Sequence, residues 1–332
     1  MTKKVDPIRE KTHKESSRAY DDLFADPEYY IKTKLKARGI HDLIFQIFCE
    51  DIRNKKVLDL GCGYGRFSFI ASTVADFVVG IDMTESAIGV AEKIKESLSI
   101  KNVDFSCQPI EQFKPKDNFD LILLSGTLEH IIEPGEILPQ INRMLSPGGI
   151  FITDSPSEFN FRGIFHASLW KLFNFPMTLS DVRIVTPRFM DNLAKEGGFE
   201  IVGTVGTLYS RGWGSAGADD LKLRMRNVLE DVAAETSMIN ISHEAYDAWV
   251  DEARDEFQFL LDDWVQSGML EEIPKIDSYG YTFDDAPLRA ANLPVNLIHE
   301  YMAPDFSIDP FFSRTEPVCR FGGNTIYILR KI

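Results

Sequence analysis

Residues 57–66 read Val-Leu-Asp-Leu-Gly-Cys-Gly-Tyr-Gly-Arg: an apolar run with an acid near its end, a Gly-x-Gly-x-Gly turn, then a helical pattern. Glycine tolerates positive φ and has no Cβ, so Gly61, Gly63 and Gly65 suit a turn against which a ligand lies flat. The spacing departs from Gly-x-Gly-x-x-Gly, the fingerprint that sets a helix N-terminus against a pyrophosphate. Asp59, just ahead of the turn, suits a ligand carrying an ammonium group. Asp82 follows Gly65 by seventeen residues and ends Val78-Val79-Gly80-Ile81-Asp82. A carboxylate there can accept both hydroxyls of a ribose, as at other doubly wound nucleoside sites. Together these residues ask for a nucleoside without demanding phosphates.

The elements that must hold them follow from periodicity. From Lys56 onward, short β-branched or apolar runs alternate with helical patterns, the signature of an α/β fold with a parallel sheet covered on both faces. Strands are expected near Val57–Leu60, Phe77–Ile81, Val103–Cys107, Leu121–Ser125 and Ile150–Asp154. Helices are expected over Arg66–Ala75, Glu85–Ser97, around Ile137–Leu145 and around Arg188–Lys195. Ser146-Pro147-Gly148-Gly149 reads as a breaker that stops one helix and launches the fifth strand. Phe199–Leu208 reads as a sixth strand and Asn324–Arg330 as a last one, and the two would pair as a hairpin across about 110 intervening residues. The division expected is an N-terminal helical segment over 1–50, a core over 51–210, a mainly helical insertion over 211–320 and the final core strand over 321–332. Within the insertion, Leu221, Met225, Val228 and Val232 mark one amphipathic helix. A second carries Tyr246, Trp249, Val250, Ala253, Phe257, Leu260, Leu261 and Trp264, with Ser242 as N-cap and Gly268 as stop.

With Phe119-Asp120-Leu121-Ile122-Leu123-Leu124-Ser125 and Leu145-Ser146-Pro147-Gly148-Gly149 in order after the turn and Asp82, the chain resembles a class I S-adenosylmethionine-dependent methyltransferase over roughly Lys56–Leu208 and the final strand. The resemblance implies a seven-stranded Rossmann-like sheet of order 3-2-1-4-5-7-6, the last strand antiparallel, and S-adenosyl-L-methionine as cofactor. It implies that Asp59 and the turn Gly61, Cys62, Gly63 and Gly65 hold the methionine part, Asp82 the ribose and Met83 one face of adenine. Ser125 completes the cofactor's neighbours. Many relatives carry an acid for the adenine amino group where this chain has Pro109, so that contact is left to the Ile110 backbone or to Gln108. The N-terminal run Tyr29–Arg38 resembles the helix that closes over the cofactor, with Arg38 or Lys36 able to pair with the methionine carboxylate.

A narrower resemblance is to the ubiquinone-biosynthesis type of O-methyltransferase, carried by Thr127-Leu128-Glu129-His130-Ile131 after the fourth strand and by a long aromatic segment after the fifth. There the position suits a base or a metal-binding pair beside the acceptor. A hydroxyl acceptor must lose a proton, and His130, with a reference pKa near ~6.5, is the candidate base. Glu129 could orient it, bind a divalent cation or face solvent. No metal site is expected. In Phe159–Phe175, Phe161, Phe165, Leu169 and Leu172 fall at helical spacing among Arg162, His166 and Lys171. The segment suits a flap over the acceptor pocket in preference to a membrane-surface helix.

Composition narrows the classes. The 332 residues are 44% hydrophobic and 26% charged, the make-up of a globular protein. A cytoplasmic location is expected, since the start lacks an apolar signal region. Four dispersed cysteines indicate neither a disulfide framework nor a zinc site. The net charge of −15 opposes non-specific affinity for nucleic acid or anionic lipid. Residues 211–320 hold 22 acids against 9 bases, so the insertion carries nearly all of it. The expected function is methyl transfer to a small-molecule acceptor, most readily at a hydroxyl oxygen. The alternatives are N- or protein methylation, a non-catalytic cofactor-binding relative and an NAD-linked oxidoreductase, the last opposed by the glycine spacing.

Overall fold

The computed structural model of the chain describes residues 40–156, 163–167, 181–207, 221–222, 242, 244–252, 255 and 324–332. Among the described residues, the elements of the core in chain order are α1 (Ile40–Ile52), β1 (Lys56–Leu60), α2 (Arg66–Ser72), β2 (Phe77–Asp82), α3 (Glu85–Ser97), β3 (Val103–Cys107), β4 (Phe119–Ser125), α4 (Pro134–Met144), β5 (Leu145–Pro156), α5 (Pro187–Glu196), β6 (Phe199–Thr207) and β7 (Asn324–Lys331). These seven strands form one sheet in the order β3-β2-β1-β4-β5-β7-β6. The first five run parallel, and β7 is antiparallel to both neighbours. This is the fold that the resemblance implies.

Central strands of a sheet covered on both faces must be apolar along their whole length, and Leu121–Leu124 of β4 are fully buried. Alternation then divides the side chains. On one face Val57, Leu121, Leu123, Ile152, Ile326 and Ile328 pack against Ile44, Phe45 and Phe48 of α1 and Phe67 and Ile70 of α2. On the other, Leu58, Leu60, Ile122, Leu124 and Phe151 meet Ile137, Leu138 and Ile141 of α4 and Met190 and Leu193 of α5. Thr186 caps α5, its hydroxyl accepting from the Phe189 N–H at 3.1 Å, and Pro187 supplies a first-turn residue that needs no N–H partner.

The structure corrects one boundary. Ser146-Pro147-Gly148-Gly149 does not separate α4 from β5 but lies inside β5. Phe119 pairs with Leu145 and Leu121 already with Ile150, so a two-residue step on β4 faces a five-residue step on β5. Residues that resist strand pairing are taken up as a bulge.

β6 and β7 pair in register from Phe199↔Lys331 to Thr207↔Asn324, so residues 208–323 all lie between two neighbouring strands. Of the two helices expected there, the described portions are residues 221–222 and a helix over 244–252. That helix meets a short helix over 163–167: the Phe165 and Trp249 rings stand 4.8 Å apart, edge to face. Lys222 Nζ lies 2.7 Å from Asp251 Oδ2. The rest of both helices, and most of Phe159–Phe175, lie outside the described residues. No helix among the described residues is long and apolar enough to cross a membrane.

The N-terminal helix is fastened to the glycine turn electrostatically. Arg66, the first residue of α2, donates through Nη2 to Asp42 Oδ2 at 2.5 Å, and both side chains are buried. Beside them His41 is pushed down to about 3 by burial and by the Arg66 charge, so it stays neutral and does not compete for Asp42. Removing one member of a buried pair strands the other. Asp42→Ala should therefore lower unfolding free energy by ~3–5 kcal/mol in urea titration, and a loss below ~1 kcal/mol would show that the pair does not anchor α1.

Candidate active site

The candidate residues collect at the carboxyl ends of the parallel strands, where an open α/β sheet leaves its crevice. Gly61, Gly63 and Gly65 all take positive φ, at 70°, 53° and 81°, as expected of the turn. The space behind two of them is filled by protein: a Cβ on Gly61 would stand 2.3 Å from Thr127 Oγ1, and one on Gly65 2.6 Å from the Phe105 ring. Glycine is thus required by the turn's own supports as well as by close approach of a ligand. Cys62 is buried in the turn, its thiol pushed up by burial and by the Asp59 and Asp82 carboxyls, so it remains protonated.

Asp82 links the turn to β2. Its Oδ2 accepts from the Gly63 N–H at 2.9 Å and its Oδ1 from the Thr84 N–H at 2.8 Å, which leaves each oxygen further lone pairs for a diol. Next to it Met83 is 61% exposed, an apolar side chain without cover where an adenine would lie. Pro109 leads a single turn of 3-10 helix over Ile110–Gln112. The first N–H of such a turn has no partner within it, whereas the Ile110 carbonyl accepts from Gln140 Nε2 at 2.9 Å. Gln108 donates through Nε2 to Ser106 Oγ at 2.5 Å, which engages one of its two side-chain donors. Asp59 is 2% exposed and ties β1 to α2, accepting from Ser68 Oγ at 2.7 Å. Burial pushes it up to about 7, against the pull of Ser68. This donor set fits S-adenosylmethionine. Arg38 and Lys36 lie outside the described residues.

The second half of the site follows β4. Leu128–His130 form a turn of 3-10 helix. Glu129 does not face solvent: it is buried, its Oε2 accepts from Ser155 Oγ at 2.9 Å, and burial pushes it up to about 7, with the His130 charge opposing and Asp181 adding to the rise. His130 is partly exposed, and its Nδ1 lies 3.1 Å from Asp181 Oδ1. Ser125 ends β4 opposite Asp154 of β5. Asp154 is buried and accepts from Asn324 Nδ2 at 2.8 Å; burial raises it to about 6, while Ser125 and Asn324 pull it down. Spacing along the chain did not point to Asp181, Ser155, Asp154 or Asn324, because their partners are distant in sequence. Only the strand register could have suggested Asp154 beside Ser125.

The seven strands in this order, with Asp82 closing β2 beside the glycine turn, are the Rossmann-like arrangement that the resemblance implies. Residues 52–183 match the model of a methyltransferase domain. It is similar to a ubiquinone biosynthesis O-methyltransferase of Coxiella burnetii (strain RSA 331 / Henzerling II), 28% identical over 163 residues that make up 48% of this chain and 69% of that protein. A ubiquinone biosynthesis O-methyltransferase of Bradyrhizobium diazoefficiens is 31% identical over 100 residues, 30% of this chain and 39% of that protein. Among solved structures, an S-adenosylmethionine-dependent methyltransferase from Clostridium acetobutylicum ATCC 824 shares 19% identity over 56% of this chain and 90% of that one, at a TM-score of 0.42.

Two measurements check this geometry. Asp82→Ala should weaken S-adenosylhomocysteine binding about ten- to hundredfold in calorimetric titration, the value of lost bonds to a charged acceptor; an unchanged affinity would remove Asp82 from the ribose site. Glu129, raised from its ordinary 4.5 to about 7, keeps in the folded protein a proton that the unfolded chain releases. Its contribution is complete below about 4.5 and is lost as pH rises through about 7. Relative to Glu129→Gln, the wild type should lose on the order of 1–3 kcal/mol between pH ~5 and ~8 in denaturant titrations. Parallel pH profiles would contradict the burial of an ionisable Glu129.

Proposed function

We propose that this protein transfers a methyl group from S-adenosylmethionine to a hydroxyl oxygen of a small-molecule acceptor, with His130 as the general base. The observation that carries this reading is the partly exposed His130 imidazole at the end of β4, with its Nδ1 3.1 Å from a buried carboxylate. When bound, the cofactor supplies a methyl group on a sulfonium, already activated for in-line displacement. What the chain must add is an oriented acceptor and a place for its proton. An imidazole with one nitrogen toward a carboxylate offers the other, Nε2, to the hydroxyl proton. Glu129 sits too deep to meet the acceptor itself and fixes the 3-10 turn through Ser155. The curated relatives named as O-methyltransferases support oxygen as the acceptor atom.

The acceptor side is roofed, on this reading, by the short helix over 163–167 together with the helix over 244–252, a placement supported by the Phe165–Trp249 contact.

The test follows the label from S-adenosyl-[methyl-³H]methionine with catechol, aniline and a lysine-rich peptide as alternative acceptors. Label on the catechol oxygen is expected, and label confined to the amine or the peptide would overturn the oxygen reading. With catechol, His130→Gln should lower kcat ~10²–10⁴-fold while leaving S-adenosylhomocysteine affinity unchanged; retained turnover at neutral pH would remove His130 from the chemistry.

A further inference from the structure

The residue that faces His130 comes from a part of the chain that no motif marks. Residues 181–186 run as an irregular segment into α5, and three successive residues of it are registered against the turn that carries Glu129 and His130. The Val182 N–H donates to the Glu129 carbonyl at 2.9 Å. The Arg183 guanidinium donates through Nη2 to the Ile131 and Ile132 carbonyls at 2.5 and 2.6 Å and lies 5.4 Å from the Phe189 ring centroid. Val182 and Val185 are buried, which seals the segment down. Asp181 is therefore not a loop carboxylate that happens to lie near an imidazole. Its backbone is fixed one residue before a bond to the very turn it faces, and its side chain is 6% exposed.

Resting on the reading of His130 as base, we propose that Asp181 is a positioning residue that holds the His130 ring with Nδ1–H toward the carboxylate and Nε2 toward the acceptor, and that stabilises the imidazolium formed when the proton is taken. Two consequences follow from the chemistry of the pair. A carboxylate on Nδ1 selects the tautomer whose Nε2 bears the lone pair, as such orienting acids do for other histidine bases. A negative charge at that distance also raises the basicity of the ring. Among the described residues, Glu129 on its own turn and Asp181 on the facing segment act on the pair, while Glu133 just ahead of α4 acts on Arg183. Arg183 is engaged with carbonyls, and Glu129 is buried against Ser155. Asp181 Oδ1 stands at ion-pair distance from Nδ1, 3.1 Å, close enough for a small turn of the ring to align the bond.

The decisive readout is the ring itself. In protein labelled with ¹⁵N-histidine and saturated with S-adenosylhomocysteine, His130 is assigned by loss of its signals in His130→Gln, and its tautomer and pKa are read by NMR. The wild type should show the Nδ1–H tautomer when neutral; the Nε2–H tautomer would overturn the proposal without any variant. Asp181→Asn keeps the size of the side chain and leaves the Val182 and Arg183 bonds in place. It should lower the His130 pKa by about one unit or more and shift the low-pH limb of kcat for catechol methylation to lower pH by the same amount. Maximal kcat should fall about ten- to hundredfold, with S-adenosylhomocysteine affinity unchanged. An unaltered His130 pKa in a folded Asp181→Asn protein would overturn the positioning role. Failure of the base reading shows separately, as undiminished methylation by His130→Gln, whatever the NMR result.

Discussion

Carboxyl groups that must stand at the edge of an apolar sheet are expensive to bury, and this fold meets the cost by giving each one its own polar partner. Asp59 in β1 has Ser68, Glu129 after β4 has Ser155, and Asp154 in β5 has Asn324, with Ser125 as a second polar neighbour. Each of these carboxyls is raised by burial to about 6 or 7. None of the arrangements survives a shift of strand register, because a slip of one residue sends every side chain to the other face. The pairings Asp59↔Leu123 and Ser125↔Asp154 are therefore the constraint from which the rest of the site is built.

From that constraint the two halves of the site follow. On the β1–β2 side the glycine turn is wedged between Thr127 and Phe105 and tied through the Gly63 N–H to Asp82, so the protein's own contacts set its shape. On the β4–β5 side the bulge at Ser146–Gly149 lies at the opposite end of the strand from the chemistry, and it absorbs the mismatch between β4 and β5 there. The carboxyl ends of the two strands stay in register. The 181–186 segment then clips onto the 128–132 turn, and the buried Asp42–Arg66 pair fastens α1 against the helix that begins at the glycine turn. The methyltransferase core is thus preorganised largely by backbone bonds and buried pairs.

Much of this was legible in the sequence because it is written in local patterns. Apolar runs ended by Asp59, Asp82 and Ser125 gave strands whose ends carry chemistry, and alternation in Asn324–Arg330 gave the antiparallel strand that closes the sheet. The positive φ of the three turn glycines followed from their residue type. What escaped was whatever depends on contacts between distant parts of the chain. Gly61 is small because Thr127 occupies the place of its side chain. Glu129 is buried because Ser155, 26 residues away, turns inward to meet it. Asp181 reaches His130 across 51 residues of sequence. The breaker at Ser146–Gly149 misled because Pro and Gly interrupt a strand's pairing without ending the strand when a neighbour continues on the other side of the bulge.

The central claim is that the crevice at the carboxyl ends of β1, β2 and β4 is shaped for S-adenosylmethionine and not for a dinucleotide. Thermal unfolding of the intact chain with S-adenosylhomocysteine or NAD measures this without knowledge of the acceptor. At a hundredfold excess over Kd, the nucleoside should stabilise the protein by ~2.7 kcal/mol, seen as a rise of a few degrees in Tm, with no shift from NAD. Stabilisation by NAD with none from S-adenosylhomocysteine would contradict the account.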